Sequence, residues 1–273
     1  MKTLVITGGT DGMGRELART YASRGDRVVI VGRDATKAAT VPGAVFLPAD
    51  LSLVAENRRI IDELNTRFPA VDALVLCARY FRASRLQTPE GIEAVFALDY
   101  LSRYLLSHGL TDPGLIVNVS GAGDPNLRIH WDDLMLERGY DGMRAQCQAG
   151  AANSLLGVDF ADRHTGARTR YAVLHPLSVA TAFRGEYDPQ TAAHVEWMKR
   201  NALPVAQGVE PVVARIDDPP ADPLTAYVRH KRISLDHPSF SAADATRLRD
   251  ITEDLLRRRA PGRRGHIVEE DGA

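Results

Sequence analysis

The sequence predicts an α/β protein of one domain, built on a doubly wound parallel sheet with helices on both faces. Three observations carry that expectation. Short continuous apolar runs alternate with segments of helical period through most of the chain, and such runs are what strands buried on both faces require. A glycine-rich turn, Thr7-Gly8-Gly9-Thr10-Asp11-Gly12-Met13-Gly14, follows the first run directly. The length of 273 residues provides one core of ample size.

The first strand is Thr3-Leu4-Val5-Ile6, and the helix after the turn carries Leu17, Ala18, Tyr21 and Ala22. A strand that runs through glycines into a helix aims free backbone N–H groups at an anion, so the turn is a candidate phosphate site. Gly8, Gly12 and Gly14 lack the Cβ that would obstruct close approach. Their spacing is G-x-x-x-G-x-G rather than G-x-G-x-x-G, and a tight turn without a ligand is the competing reading. Arg27-Val28-Val29-Ile30-Val31 is the second strand and ends at Gly32-Arg33-Asp34; Ala44-Val45-Phe46-Leu47 is the third. Ser52 is placed to cap a helix carrying Leu53, Val54, Ile60, Ile61 and Leu64. The fourth strand spans Val71 to Cys77. Thr88-Pro89-Glu90 reads as a helix start, with Ile92, Val95, Phe96, Leu101, Leu105 and Leu106 following. Leu115 to Val119 is the fifth strand, Gly142 to Arg163 a helix and Tyr171 to Leu174 the sixth strand.

Beyond Pro176 the pattern loosens. The stretch 178–204, with Phe183, Tyr187 and Trp197 scattered through it, reads as a long loop over the ligand cleft and so as a substrate lid, against the alternative of a surface insertion. Val205 to Ile216 is a short helix, Leu224 to Val228 a last strand and Ser241 to Arg259 an amphipathic helix. The domain is expected to span 1–260, with 261–273 a disordered tail.

Net charge is −1 and no long basic run precedes the C-terminus, so neither nucleic acid nor an anionic membrane is expected as a partner. The apolar runs fall short of the roughly 18 residues of a spanning helix. A strand beginning at residue 3 leaves no room for a signal peptide, and the two cysteines, Cys77 and Cys147, suggest a reduced compartment. The expectation is a cytoplasmic protein. No metal site is expected, since His164 and His175 lack a second ligand at useful spacing.

Taken together these motifs resemble the short-chain dehydrogenase/reductase family, a Rossmann-fold family, over nearly the whole chain. Thr7 to Gly14 is similar to its T-G-x-x-x-G-x-G loop, and Asp50-Leu51-Ser52 to its adenine-contacting turn. Val117-Asn118-Val119-Ser120 resembles its fifth strand, and His175-Pro176-Leu177-Ser178-Val179-Ala180-Thr181 its H-P-G-x-V-x-T. Within the family the retinol-dehydrogenase-like branch is nearest. Its F-x-D-L…Y…A-Y-x-Q-S-K-L-A-N is matched by Trp131-Asp132-Asp133-Leu134, then Tyr140, then Ala145 to Asn153. In that register the catalytic tetrad is replaced: the Tyr is Gln146, the Lys Gly150, the Ser Gly121 and the helix Asn Asp99. The N-N-A-G after the fourth strand is Leu76-Cys77-Ala78-Arg79.

The resemblance implies a nicotinamide cofactor held by Gly8, Thr10, Asp11, Gly12, Met13, Gly14, Arg33, Asp50, Leu51, Cys77, Ala78, Arg79, Pro176, Leu177 and Val179. Where NAD binders place an acid at the end of strand two, this chain has Gly32 followed by Arg33. Arg33 can pair with a 2′-phosphate, a contact worth roughly 1.5–3 kcal/mol, which favours NADP(H) over NAD(H); Asp34 and Asp11 oppose it.

The tetrad's loss removes the family's proton donor. Gln146 is no general acid, and losing one costs about 10²–10⁴-fold. Positioning alone still supplies roughly 7–11 kcal/mol, so an electrophilic acceptor, a quinone or a ketone beside a phenol, remains within reach. Ser120 and Gln146 are the candidates to hydrogen-bond its oxygen. Asp99, Cys147, Tyr140 and His130 are weaker stand-ins. Arg79 either binds an acidic substrate or points to solvent. The reading is an NADP(H)-dependent ketone or quinone reductase that draws its proton from substrate or water and takes a bulky small molecule. The alternatives are a non-redox enzyme of the same fold (cyclase, dehydratase or isomerase) and a non-catalytic nucleotide-binding regulator. The helices near Thr88 and Gly142 are where family members pair, so a homodimer or homotetramer is expected.

Overall fold

The computed structural model describes residues 1–182 and 185–259, and the expected tail 261–273 and Phe183 lie outside them. Eight strands form one sheet in the order β10-β9-β7-β6-β4-β1-β2-β3. They are β1 Thr3–Thr7, β2 Arg27–Gly32, β3 Val45–Pro48, β4 Ala73–Leu76, β6 Leu115–Val119, β7 Arg170–His175, β9 Leu224–Val228 and β10 Lys231–Ile233. All neighbours are parallel except β10, which returns antiparallel on β9. β1 lies between β2 and β4. Strand order therefore reverses beside β1, and a cleft opens at its carboxyl end.

Alternate residues of each strand feed two cores. Val5 joins Val29, Leu74 and Ile116 on one face, under α3 (Val54–Arg67), α5 (Ser102–Gly109), α6 (Gly142–Arg163) and α9 (Ala242–Arg258). Leu4 and Ile6 join Leu17, Tyr21, Val209 and Val212 on the other, under α1 (Gly12–Ser23) and α8 (Val205–Asp217). No helix among the described residues is long and apolar enough to cross a membrane.

Three local expectations are corrected. Thr88-Pro89-Glu90 does not open a helix. Gly91 turns the chain with φ +77°, Thr88 N–H bonds the Ile92 carbonyl at 2.8 Å, and the helix begins with α4 (Ala94–Phe96), capped by the Glu93 carboxylate on Val95 N and Phe96 N. α4 runs through a π segment, Ala97–Leu101, into α5. Ser52 does not cap α3, because its hydroxyl is spent on Asp50. Glu90 does, accepting from Val54 N at 2.7 Å and Ala55 N at 3.0 Å. A carboxylate 36 residues away in sequence satisfies the orphan amides of that helix end. Finally, 178–204 is not all loop. It contains β8 (Gly185–Glu186), which pairs with β5 (Phe81–Arg82) in a separate two-stranded sheet, and α7 (Pro189–Asn201).

Candidate active site

The glycine turn and three other loops meet at the carboxyl end of the sheet. Gly8 has φ +67° and Gly12 φ +49°, conformations that side chains rarely adopt. A Cβ on Gly8 would come within 2.9 Å of the Ala78 Cα, one on Gly14 would run into the Gly8 carbonyl, and one on Gly12 would meet Thr181 at 3.0 Å. Thr10 packs beside Gly32. Thr7 Oγ1 ties down the backbone N–H groups of Cys77 (3.0 Å) and Ala78 (3.2 Å). The loops after β1, β2, β4 and β7 thus converge on the start of α1. Such a cradle fits a dinucleotide pyrophosphate. Asp11 caps α1 through Gly12 N at 2.8 Å. Met13 packs against the core, and Pro176 and Val179 are buried in the loop after β7. Leu177 is exposed and holds φ +66° where the motif has glycine.

At the rim, Arg33 lies 3.7 Å from Asp50, and Lys37, in α2 (Ala35–Ala38), lies 3.5 Å from Asp11 and 3.7 Å from Asp34. Lys37 was not among the residues expected here; its position one helical turn beyond Asp34 is the signal that marks it. Asp50 is engaged locally, accepting from Ser52 N and Oγ, and the Leu51 side chain is core. Asp50 and Ser52 border a small pocket with Arg33, Tyr80 and Arg82. The Arg33 and Arg82 guanidiniums lie 5.7 and 4.9 Å from the Tyr80 ring centroid.

Deeper in the cleft, Gln146 of α6 and Asp99 of the π segment come together. Gln146 Nε2 donates to Asp99 Oδ2 at 3.1 Å and to the Tyr80 carbonyl at 3.3 Å. Its Oε1 accepts from Arg79 Nε. The Gln146 side chain is therefore buried with its donors and acceptor engaged inside the protein, and it is Arg79, not Gln146, that reaches the cleft. Arg79 Nε also lies 3.6 Å from Asp99 Oδ2, with the Arg79 side chain 60% exposed and the Asp99 side chain 4%. Burial pushes Asp99 up to about 6, against the pull of Arg79, Arg103 and the Gln146 hydrogen bond.

Behind this pair sits Arg103, which sequence reasoning missed. It is fully buried and donates to Asn118 Oδ1 (2.6 Å), the Val119 carbonyl (2.7 Å) and the Ala78 carbonyl (3.0 Å). Asn118 passes the network to Asn153 at 3.0 Å, and Asn153 donates to the Asp99 carbonyl at 2.8 Å. A single arginine among Leu101, Tyr104 and Leu106 was the available signal. The network fixes β6, α6, the π segment and the loop after β4 in one arrangement.

Ser120 is the other residue expected to hydrogen-bond the reacting oxygen. Ser120 Oγ makes a long bond to the Gly150 carbonyl, 3.4 Å. Leu127 fills the space between Gly121 and Gly150: a Cβ on either glycine would meet a Leu127 methyl at 3.1 Å. Burial raises the Cys147 thiol and lowers His175, and the charges of Asp124 and Arg79 act on both. Tyr140 instead packs on Val95 and Leu136, with its hydroxyl on the Arg82 carbonyl, and His130 sits against Arg144. Neither joins the cleft pair.

A family profile described as short chain dehydrogenase matches residues 2–126. The chain is 31% identical over 194 residues to the short-chain dehydrogenase chyC of Penicillium rubens, covering 68% of this chain and 74% of that protein. It is 29% identical over 192 residues to retinol dehydrogenase 13 of Mus musculus, covering 64% of this chain but only 58% of that protein's length. A crystal structure of a short chain dehydrogenase from Burkholderia cenocepacia in complex with NADP shares the fold, with a TM-score of 0.64 at 20% identity over 83% of this chain and 95% of that one.

Proposed function

The chain belongs to the short chain dehydrogenase family, on the side of its retinol dehydrogenases, and from that premise we propose an NADP(H)-dependent oxidoreductase that reduces a ketone or quinone-type acceptor without the usual Tyr–Lys pair. One observation carries the reading. A glycine cradle that no side chain can enter persists at Gly8 and Gly14, while the cleft beside it presents Arg79 backed by Gln146 and Asp99. A bound reduced nicotinamide would supply a hydride to the acceptor carbon. The chain's own residues do the rest. The loops after β1, β4 and β7 hold the pyrophosphate end. Arg33 and Lys37 are the cations available to a 2′-phosphate, with Asp34 and Asp11 opposing them. The NADP bound to the Burkholderia relative supports the same cofactor class. Gln146 and Asp99 act as positioning residues for Arg79, and neither gives a proton directly to the acceptor, because both are buried behind it. The proton comes from water or from an acidic group of the acceptor.

The test is direct. Purified protein is titrated with NADPH and NADH by fluorescence, then assayed for NADPH oxidation with a panel of quinones and hydroxyaryl ketones. Expected are NADPH binding roughly tenfold or more tighter than NADH and oxidation matched by reduced product. Binding without turnover across the panel overturns the reductase reading. Product formed without NADPH consumption would assign a non-redox reaction to the same cleft.

A further inference from the structure

We infer that the cleft binds an acceptor bearing an anionic oxygen, a carboxylate or an ionised phenol or enol close to the reacting carbon, and that Arg79 is the group that binds it. That the bound anion is a hydride acceptor rests on the reductase reading; the anion site rests on the geometry alone.

Arg79 stands in the loop after β4, between the glycine cradle and α6. Its Nε is fixed by Gln146 Oε1 and lies 3.6 Å from Asp99 Oδ2. Its two terminal amino groups make no hydrogen bond to the described residues, and the side chain is 60% exposed. A guanidinium held at Nε, with neither Nη group engaged among the described residues, presents the planar fork that matches two oxygens of an anion. Two buried side chains are spent on holding it. Gln146 uses both of its amide hydrogens, on Asp99 and on the Tyr80 carbonyl, to keep Oε1 aimed at Arg79. A solvent-directed arginine would need no such support.

The charge balance agrees. Asp99 faces two guanidiniums, Arg79 in front and Arg103 behind, so these three side chains together carry a net positive charge when Asp99 is ionised and a larger one when it is not, with Glu93 beside Asp99 and Asp124 beside Cys147 and His175 as the opposing carboxylates. Arg103 is fully buried, where its field is poorly screened. Around Arg79 stand Tyr187, stacked on Phe81 with centroids 4.8 Å apart, and on the other side His175, Cys147 and Asp124. The Asp124 carboxylate is engaged by Asn126 N and Nδ2. The pairing of β8 with β5 anchors the 178–204 segment two residues beyond Arg79. Aromatic rings and one presented cation fit an aromatic oxyacid better than a neutral aliphatic ketone.

The test reads binding, not turnover. The full chain without cofactor is titrated calorimetrically with 2-hydroxybenzoate, with its neutral amide, and with a hydroxyaryl ketone on either side of its phenol ionisation. The expected result is that anionic forms bind at least roughly tenfold tighter than their neutral counterparts. The two arms separate carboxylate from phenolate recognition. Arg79→Gln should erase the preference and Arg79→Lys should restore part of it. Equal affinity for charged and neutral probes, or a preference that survives Arg79→Gln, overturns the inference. The NADPH titration of the unmodified protein reports separately on the reductase reading, so either conclusion fails without the other.

Discussion

Asp99 is buried beside Arg79, Arg103 and Gln146, and that burial ties its proton to the stability of the fold. Its carboxyl is ordinarily half-ionised at 3.8, and burial moves that point up to about 6. The folded state therefore holds the proton more tightly than the unfolded chain does. The stabilisation linked to that proton is fully present below about pH 3.8 and is lost as pH rises through about 6, a span of about 3 kcal/mol. Urea denaturation at steps between pH 4 and pH 7 should show the difference in stability between wild type and Asp99→Asn changing by about that amount, then levelling off. Glu93 is also raised by burial and slopes in the same direction, but it is common to both proteins and drops out of the difference. A difference that stays constant across the window would show that Asp99 does not hold this proton. The sequence marked Asp99 through its motif position alone. What sets its chemistry is Arg79, Arg103 and Gln146, and a contact such as Arg79 to Gln146 spans 67 residues, so no local pattern announces it.

Elements with an uninterrupted period were legible almost to the residue. α6 spans Gly142–Arg163 as its pattern indicates, and α9 begins where Ser241 caps it through Asp244 N. Failures fell where a tertiary partner replaced a local one. Thr88-Pro89-Glu90 has the composition of a helix start, yet Glu90 serves α3 instead. α7 has no local signature, because its apolar residues, Val195 and Trp197 among them, form no sustained stripe. The segment between β6 and α6 shows only motif matches in its sequence, and its main structural contribution is Leu127. That side chain occupies the gap between Gly121 on one wall and Gly150 on α6, the two positions where the motif register calls for Ser and Lys. Rebuilding the pair is therefore a packing problem before it is a chemical one. Gly150→Lys should lower stability by about 1–3 kcal/mol through overpacking, despite lysine's better helix propensity. Adding Leu127→Ala should recover a large part of that loss. Thermal melts of the two variants decide it: if Gly150→Lys is as stable as wild type, Leu127 does not occupy that space.

At the scale of the whole molecule, the sheet order places the cleft and α9 decides what surface remains. The family resemblance implies pairing of copies through the helices near Thr88 and Gly142. In the folded chain α9 lies across those helices. Thr252 Oγ1 bonds the Tyr100 hydroxyl at 2.9 Å, Glu253 pairs with Arg163 at 2.9 Å, and Leu248 is buried in the shared core. The outward side of α9 carries Arg257 and Arg258, both paired with Asp254. Of the large apolar side chains exposed among the described residues, Met1, Leu86, Met143, Leu177 and Trp197, none belongs to α9. A stable interface buries on the order of 1,200–2,000 Å² around an apolar centre, and this face offers a charged one. We predict that this helix takes the place a second copy would fill. Light scattering after gel filtration should report the mass of one chain, 29.8 kDa, across the micromolar range. A mass two or four times larger would mean that copies associate through α9 or around it, and would bear out the pairing that the family resemblance implies.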